Sequence, residues 1–213
     1  MDQDFESHLS AAQREIWDGL TSPRAIQDFL DTTTYSPEYA NRSPLQVLQD
    51  RQSHCLDGGI FAAAALRQLG YPPLLVDMFP DPGRDDDHVL AIFKVSGRYG
   101  AVAKSNYAGL RYRDPVYLTL RELAMSYFES FYNVYAEKTL RTYTRPLNLK
   151  TLDSHDWMTT VAGADEIERR LLALPRIPLI TPEMAAGLAK VDVRAFEAGR
   201  HGVNEAGLYQ PKD

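Results

Sequence analysis

Apolar positions along the chain keep two periods, and the change between them divides the sequence. Up to about residue 70 they recur every three to four positions, as on one face of a helix. From "PLLVDMF" at 73–79 they alternate or run unbroken over short segments, as in strands. Helices are expected over roughly 10–20, 23–32 and 43–51. "SAAQ" from Ser10 and "SPLQ" from Ser43 fit the capping box, and Ser22-Pro23 sets a proline at a first helical position. A fourth helix runs from about Cys55 to Leu69, where Gly70 stops it ahead of Pro72-Pro73. Its side chains are nearly all Ala, Ile, Leu and Phe, which places it at the centre of the fold.

Beyond the strand at 73–79, "HVLAIFKV" (88–95) and "YGAVAKS" (99–105) read as hairpin arms about Ser96-Gly97-Arg98. Thr119 stands three residues before Glu122, another capping box, and opens a segment with a Leu/Tyr/Phe stripe at helical spacing. The aromatic run "SYFESFYNVY" (126–135) belongs to that stripe and is expected in the core. "KTLRTYTR" (138–145) is a further strand. From about 148 the character shifts to short helices near 164–174 and 181–189 and a proline-rich connection, so 148–213 reads as a helical and irregular carboxy-terminal extension of a 1–147 body. Helices followed by mostly antiparallel strands predict the α+β class.

Composition narrows the partners. The chain has 213 residues and a formal net charge of −6, which argues against nucleic acid or an anionic membrane as the main partner. No stretch approaches the ~18 apolar residues of a spanning helix, and the acidic start "MDQDFESHLS" does not read as a signal peptide. One cysteine permits neither an intrachain disulfide nor a zinc site built on cysteines, and points to a reducing cytoplasm. The sequence calls for no cofactor and fixes no oligomeric state.

That cysteine, Cys55, falls in the first turn of the buried helix, where unpaired amide groups and the helix dipole stabilise a thiolate. With Ser53 as the cap, Cys55 would occupy about the second helical position. The plain alternative is a small buried filler. Gly58 and Gly59, each costing about 1 kcal/mol against alanine inside a helix, imply the close approach of another backbone or of a substrate. His88, at the start of a strand after "GRDDD", is the candidate base. With Val95 paired to Arg98 across the hairpin, His88 falls opposite Ser105, or opposite Asn106 if the loop is one residue longer. Asn106 is preferred as the residue that orients the imidazole; Ser105 and Asp114 are the alternatives. The Cys55 backbone N–H and Gln49 are candidate oxyanion donors. In "DDDH" Asp86 and His88 share a strand face, but two ligands are too few for a metal site.

The stretches "HCLDGGIFAAAALRQLGYPPLLVDM", "DDDHVLAIFKVSGRYGAVAKSNY" and "RYRDPVY" resemble the transglutaminase-like superfamily, a branch of the papain-like fold. The likeness covers about residues 50–117 and departs from the family where "AKSNY" stands in place of the usual aspartate on the third strand. It implies a papain-like α+β core with Cys55 as nucleophile, His88 as base and a third residue as orienter. The implied activity is acyl transfer from a peptide or small amide substrate, to water or to an amine. A catalytically inactive binding or scaffold protein of the same fold is the alternative.

Overall fold

The first helices start where side chains satisfy their free amides. In the computed structural model, which describes residues 2–211, Ser10 Oγ accepts from Gln13 N and Gln13 Oε1 accepts from Ser10 N. Ser43 and Gln46 repeat the exchange, and Ser22 Oγ caps through Ala25 N. The amino-terminal half thus comprises α1 (Asp2–Ser7), α2 (Ala11–Asp18), α3 (Pro23–Thr32), β1 (Thr34–Tyr35), α4 (Pro44–Asp50), β2 (Gln52–Ser53) and α5 (Cys55–Gln68). There follow β3 (Leu74–Pro80), β4 (His88–Val95), β5 (Arg98–Val102), β6 (Arg113–Tyr117), α6 (Leu120–Met125), β7 (Leu140–Thr144), β8 (Leu147–Asn148), α7 (Val161–Leu172), β9 (Arg176–Pro178), α8 (Pro182–Ala186) and α9 (Val193–Gly199).

The fold is α+β: a seven-stranded antiparallel sheet in the order β6-β5-β4-β3-β7-β9, with β8 also paired to β3, and helices packed on it. β1 and β2 form a separate parallel pair. The β4–β5 hairpin closes with Val95 opposite Arg98; Ser96 and Gly97 both have positive φ, as a two-residue primed turn requires. β5 ends at Val102, short of the expected 105, because the next residues leave the ladder for α3. Gln27 takes both backbone groups of Ala103, and the Lys104 ammonium donates to the carbonyls of Leu30 and Thr33.

Alternation along the strands makes two cores. Leu75, Val89, Ala91, Phe93 and Val102 face α5, whose Ala62–Leu66 stretch is buried on every side. Val76, Met78, Leu90 and Ile92 face the opposite way, onto Tyr127, Phe128 and Phe131 from the aromatic run. Residues from 148 onward are built into this body. β8 and β9 extend the sheet, and Trp157, Met158, Ile167 and Leu171 lie in the first core. Among the described residues no helix is long and apolar enough to cross a membrane.

Candidate functional site

The tip of α5 is held by the short parallel pair and by one buried carboxylate. β1 alongside β2 sets Tyr35 opposite Ser53, two residues before Cys55. The N-cap is His54, not Ser53, so Cys55 is the first helical residue. Asp57, fully buried at the third position, accepts from His54 N at 3.2 Å and from Arg42 N at 2.7 Å, with the Arg42 guanidinium 3.8 Å away. Burial pushes this carboxyl up to about 7, against the hydrogen bonds from Arg42 and His54. Arg42 also binds Glu38 and Ser36, which fastens the 36–42 loop over the helix tip.

Cys55 is 7% exposed. Its thiol donates to the Asp87 carbonyl at 3.7 Å, and Val89 N donates to the sulfur. Burial pushes the thiol well above its ordinary value, and Asp87, Asp86 and Asp77 push it further the same way. A helix N-terminus favours thiolate only while its positive end is unopposed. Here Asp57 occupies that end, and three more carboxyl groups stand around the sulfur.

His88 pairs with Met78, so its ring turns from α5 into the second core, edge-on to Tyr127 at 6.3 Å and Phe131 at 6.4 Å. Its Nε2 lies 2.7 Å from the Leu110 carbonyl. A carbonyl only accepts, so Nε2 carries the proton and Nδ1 keeps its lone pair. Burial lowers the ring to about 4, against the Leu110 hydrogen bond, and the imidazole is neutral. The thiol thus meets the strand backbone on either side of His88 while the ring leaves on the other face, and no hydrogen bond joins them among the described residues. Both nevertheless line one small cavity of about 50 Å³, together with Ser105, Asn106, Tyr35 and Tyr209.

The other expected positions divide. Continuing the β4–β5 register sets Ser105 across from His88, but its Oγ accepts from Tyr107 N. The Asn106 carboxamide is taken by Asn204, which receives a bond from Nδ2 and gives one to Oδ1. Orientation of the ring falls to the Leu110 carbonyl, a backbone group that no side-chain pattern can reveal. Asp114 sits exposed on the edge strand β6, and Gln49 is exposed on α4; neither lines either of the two cavities that Cys55 borders. Gly58 and Gly59 also stay outside both cavities. A side chain at Gly58 would run into Lys104 Cβ, and one at Gly59 would come within 2.8 Å of Val89 Cγ1, so their smallness serves packing against the sheet.

A second cavity, of about 190 Å³, opens on the α5 side of the sulfur. Its wall includes Asp77, Asp86, Asp87, Glu168 and Tyr39, with Tyr35 and Tyr209 shared with the small cavity. Asp77 is 2% exposed and its Oδ1 has no hydrogen-bond partner among the described residues. A charged residue inside the apolar strand "PLLVDMF" was the signal for it in the sequence. The carboxy-terminal segment contributes Gly207 and Tyr209 to both cavities, tied down by Asn204. Among the described residues no three His, Cys, Asp or Glu side chains converge to hold a metal ion. Comparison of the chain with protein-family models finds no match, and comparison with curated proteins finds none.

Proposed function

We propose that the chain is a papain-like, transglutaminase-like enzyme that transfers an acyl group from a peptide or small amide through Cys55, held here in a resting form. The observation that carries this reading is the wall of the small cavity, which Cys55 and His88 share although they approach it from different sides of β4. In the first step the Sγ–H bond breaks, Nδ1 of His88 takes the proton, and sulfur bonds to the carbonyl carbon. The oxyanion would be met by the Cys55 backbone N–H, which has no intrahelical acceptor at the first position. Tyr35 O–H is the second donor, since burial, the thiol and nearby carboxylates hold the phenol protonated. Collapse expels the amine with the proton from His88 and leaves a thioester. Water or a second amine then attacks with His88 as base, and the thiol is restored.

Rest is the right word for the geometry. Burial raises the thiol and lowers the imidazole to about 4, so both shifts oppose moving the proton from sulfur to ring in this arrangement. Sulfur must also leave the Asp87 carbonyl, a weak bond to break. The inactive-binder reading is favoured by one observation, the absence of a thiol–imidazole hydrogen bond among the described residues. Incubation with a panel of p-nitroanilides and with glutamine peptides plus an amine separates the two. Turnover lost in both Cys55→Ala and His88→Gln supports the enzyme; turnover by none, or turnover indifferent to Cys55→Ala, removes it.

A further inference from the structure

We propose that the 190 Å³ cavity beside Cys55 is a binding site for an organic cation, an alkylammonium or alkylguanidinium group, with Asp77 as its buried carboxylate anchor. The assignment deepens the acyl-transfer reading by naming the chemistry of the group that its substrate presents, and rests on that reading only for the word substrate. The orphaned Oδ1 is the first reason. A buried carboxylate oxygen without a donor is expensive, and a cationic N–H is the donor it lacks. The remaining wall agrees: Asp86, Asp87 and Glu168 add negative groups, and among the described lining residues none is Lys or Arg. The guanidinium whose field reaches Asp77 belongs to Arg176, which stacks on Phe79 outside the cavity. Tyr35, Tyr39 and Tyr209 add aromatic rings to the wall, and aromatic rings attract a soft organic cation. A metal ion fits worse, because the acidic groups do not converge to ligation geometry. The volume lies below the roughly 300 Å³ where drug-sized pockets begin, which suits the tip of a short alkyl chain.

An ammonium held this way keeps its proton, so it is a recognition group and not the nucleophile that resolves a thioester. It also acts on the sulfur. Asp87, Asp86 and Asp77, the carboxyl groups that disfavour thiolate at Cys55, all line this cavity. A cation among them offsets their field, so the ligand itself should make the thiol more reactive.

Calorimetric titration of the full chain with butylguanidinium and butylammonium chloride, with neutral butyramide and calcium chloride as controls, tests the assignment. Saturable binding of either cation at one site is expected, with butyramide about tenfold weaker or worse. Asp77→Asn should weaken the cation by about tenfold or more, and Asp87→Asn by less. Iodoacetamide should label Cys55 faster with the cation bound. Equal binding of butyramide, binding of calcium in preference, indifference to Asp77→Asn, or no saturation by about 10 mM each overturns the proposal. Cys55→Ala should still bind the cation, so a cation site without acyl transfer would be recognised as failure of the enzymatic reading alone.

Discussion

Replacing Asp77 by asparagine should stabilise the protein, and by more at higher pH. The carboxyl is 2% exposed with Oδ1 unpartnered, while its own backbone N–H donates to Thr144 Oγ1. Burial raises its pKa well above 3.8; Asp87 and Asp86 add to the rise and Arg176 opposes it. An unsatisfied buried polar group costs about 1–3 kcal/mol, and more when charged. Asparagine keeps the volume and removes the charge, so a gain of about 2 kcal/mol near pH 7.5 is expected, or roughly 4–8 °C in Tm for a chain of this size. The sign with pH follows from linkage. The unfolded carboxyl ionises from about pH 4 while the folded one lags, so the wild type loses stability from pH 4 upward through neutrality and the variant does not. The gap between them should be near zero at about pH 4 and widest at the alkaline end. His54 and His88, both lowered to about 4 by burial, work in the opposite direction between about 4 and 6.5, but they are common to both proteins and cancel in the difference. Urea unfolding followed by circular dichroism at about pH 4, 6 and 7.5 measures the gap. A variant less stable than wild type near neutrality, or a gap that does not grow with pH, refutes the reasoning.

Without ligand, Cys55 should react with iodoacetamide more slowly than a free thiol at pH 7, with the rate climbing only above about 9, because burial and three carboxylates oppose thiolate; a labelling midpoint below that of glutathione contradicts this. Gly58→Ala should destabilise by about 1–3 kcal/mol, read from urea midpoints, since Lys104 is pinned by the Leu30 and Thr33 carbonyls and cannot withdraw from a new methyl. Asn106→Ala releases both bonds to the Asn204 backbone and Asn204→Ala the one to the Tyr35 carbonyl, so in the double variant proteolysis in the carboxy-terminal segment and labelling of Cys55 should both accelerate; unchanged rates would mean that the segment does not limit access to the sulfur.

The chain's local signals carried the scaffold well. Ser10, Ser22, Ser43 and Thr119 each start a helix by a side-chain bond that their sequence spacing predicts. The β4–β5 hairpin was legible to within one residue of register, and the two-residue turn selects Val95 opposite Arg98, the register that sets Ser105 and not Asn106 across from His88. Long-range packing was not legible. The strands β8 and β9 are two and three residues long, too short to show a period, and they exist because β3 and β7 offer edges to pair. At the site, sequence spacing found the strand that holds His88 but not the direction of its ring, which depends on which face of β4 receives α5. It also gave no sign that Lys104 would spend its charge on the end of α3, or that a carbonyl at Leu110 would fix the imidazole. The thiol is raised and not depressed chiefly because the tip of α5 is buried, with Asp87, Asp86 and Asp77 adding to the rise, and neither the burial nor that clustering is visible in local spacing.

Several of the molecule's unfavourable features gather around one cavity, and that location is informative. Of the four buried side-chain atoms without a hydrogen bond among the described residues, His54 Nε2 and Asp77 Oδ1 belong to residues that border the larger cavity. His54 Nε2 comes within 3.3 Å of Asp57 Oδ1 yet lies out of line for a bond. Asp57 itself is fully buried and raised to about 7, and the adjoining thiol is held protonated. Elsewhere the same helix is conventional: Ala62 to Leu66 pack without a polar atom to satisfy. A sequence selected only for stability would replace Asp77 with an apolar residue, as Leu75, buried two positions earlier on the same face, shows the strand accepts. Conflict between local chemistry and global packing is expected where a site must do something besides fold. Here Asp77 and Asp87, both raised by burial, border one opening, and a positively charged guest there offsets the cost of ionising them.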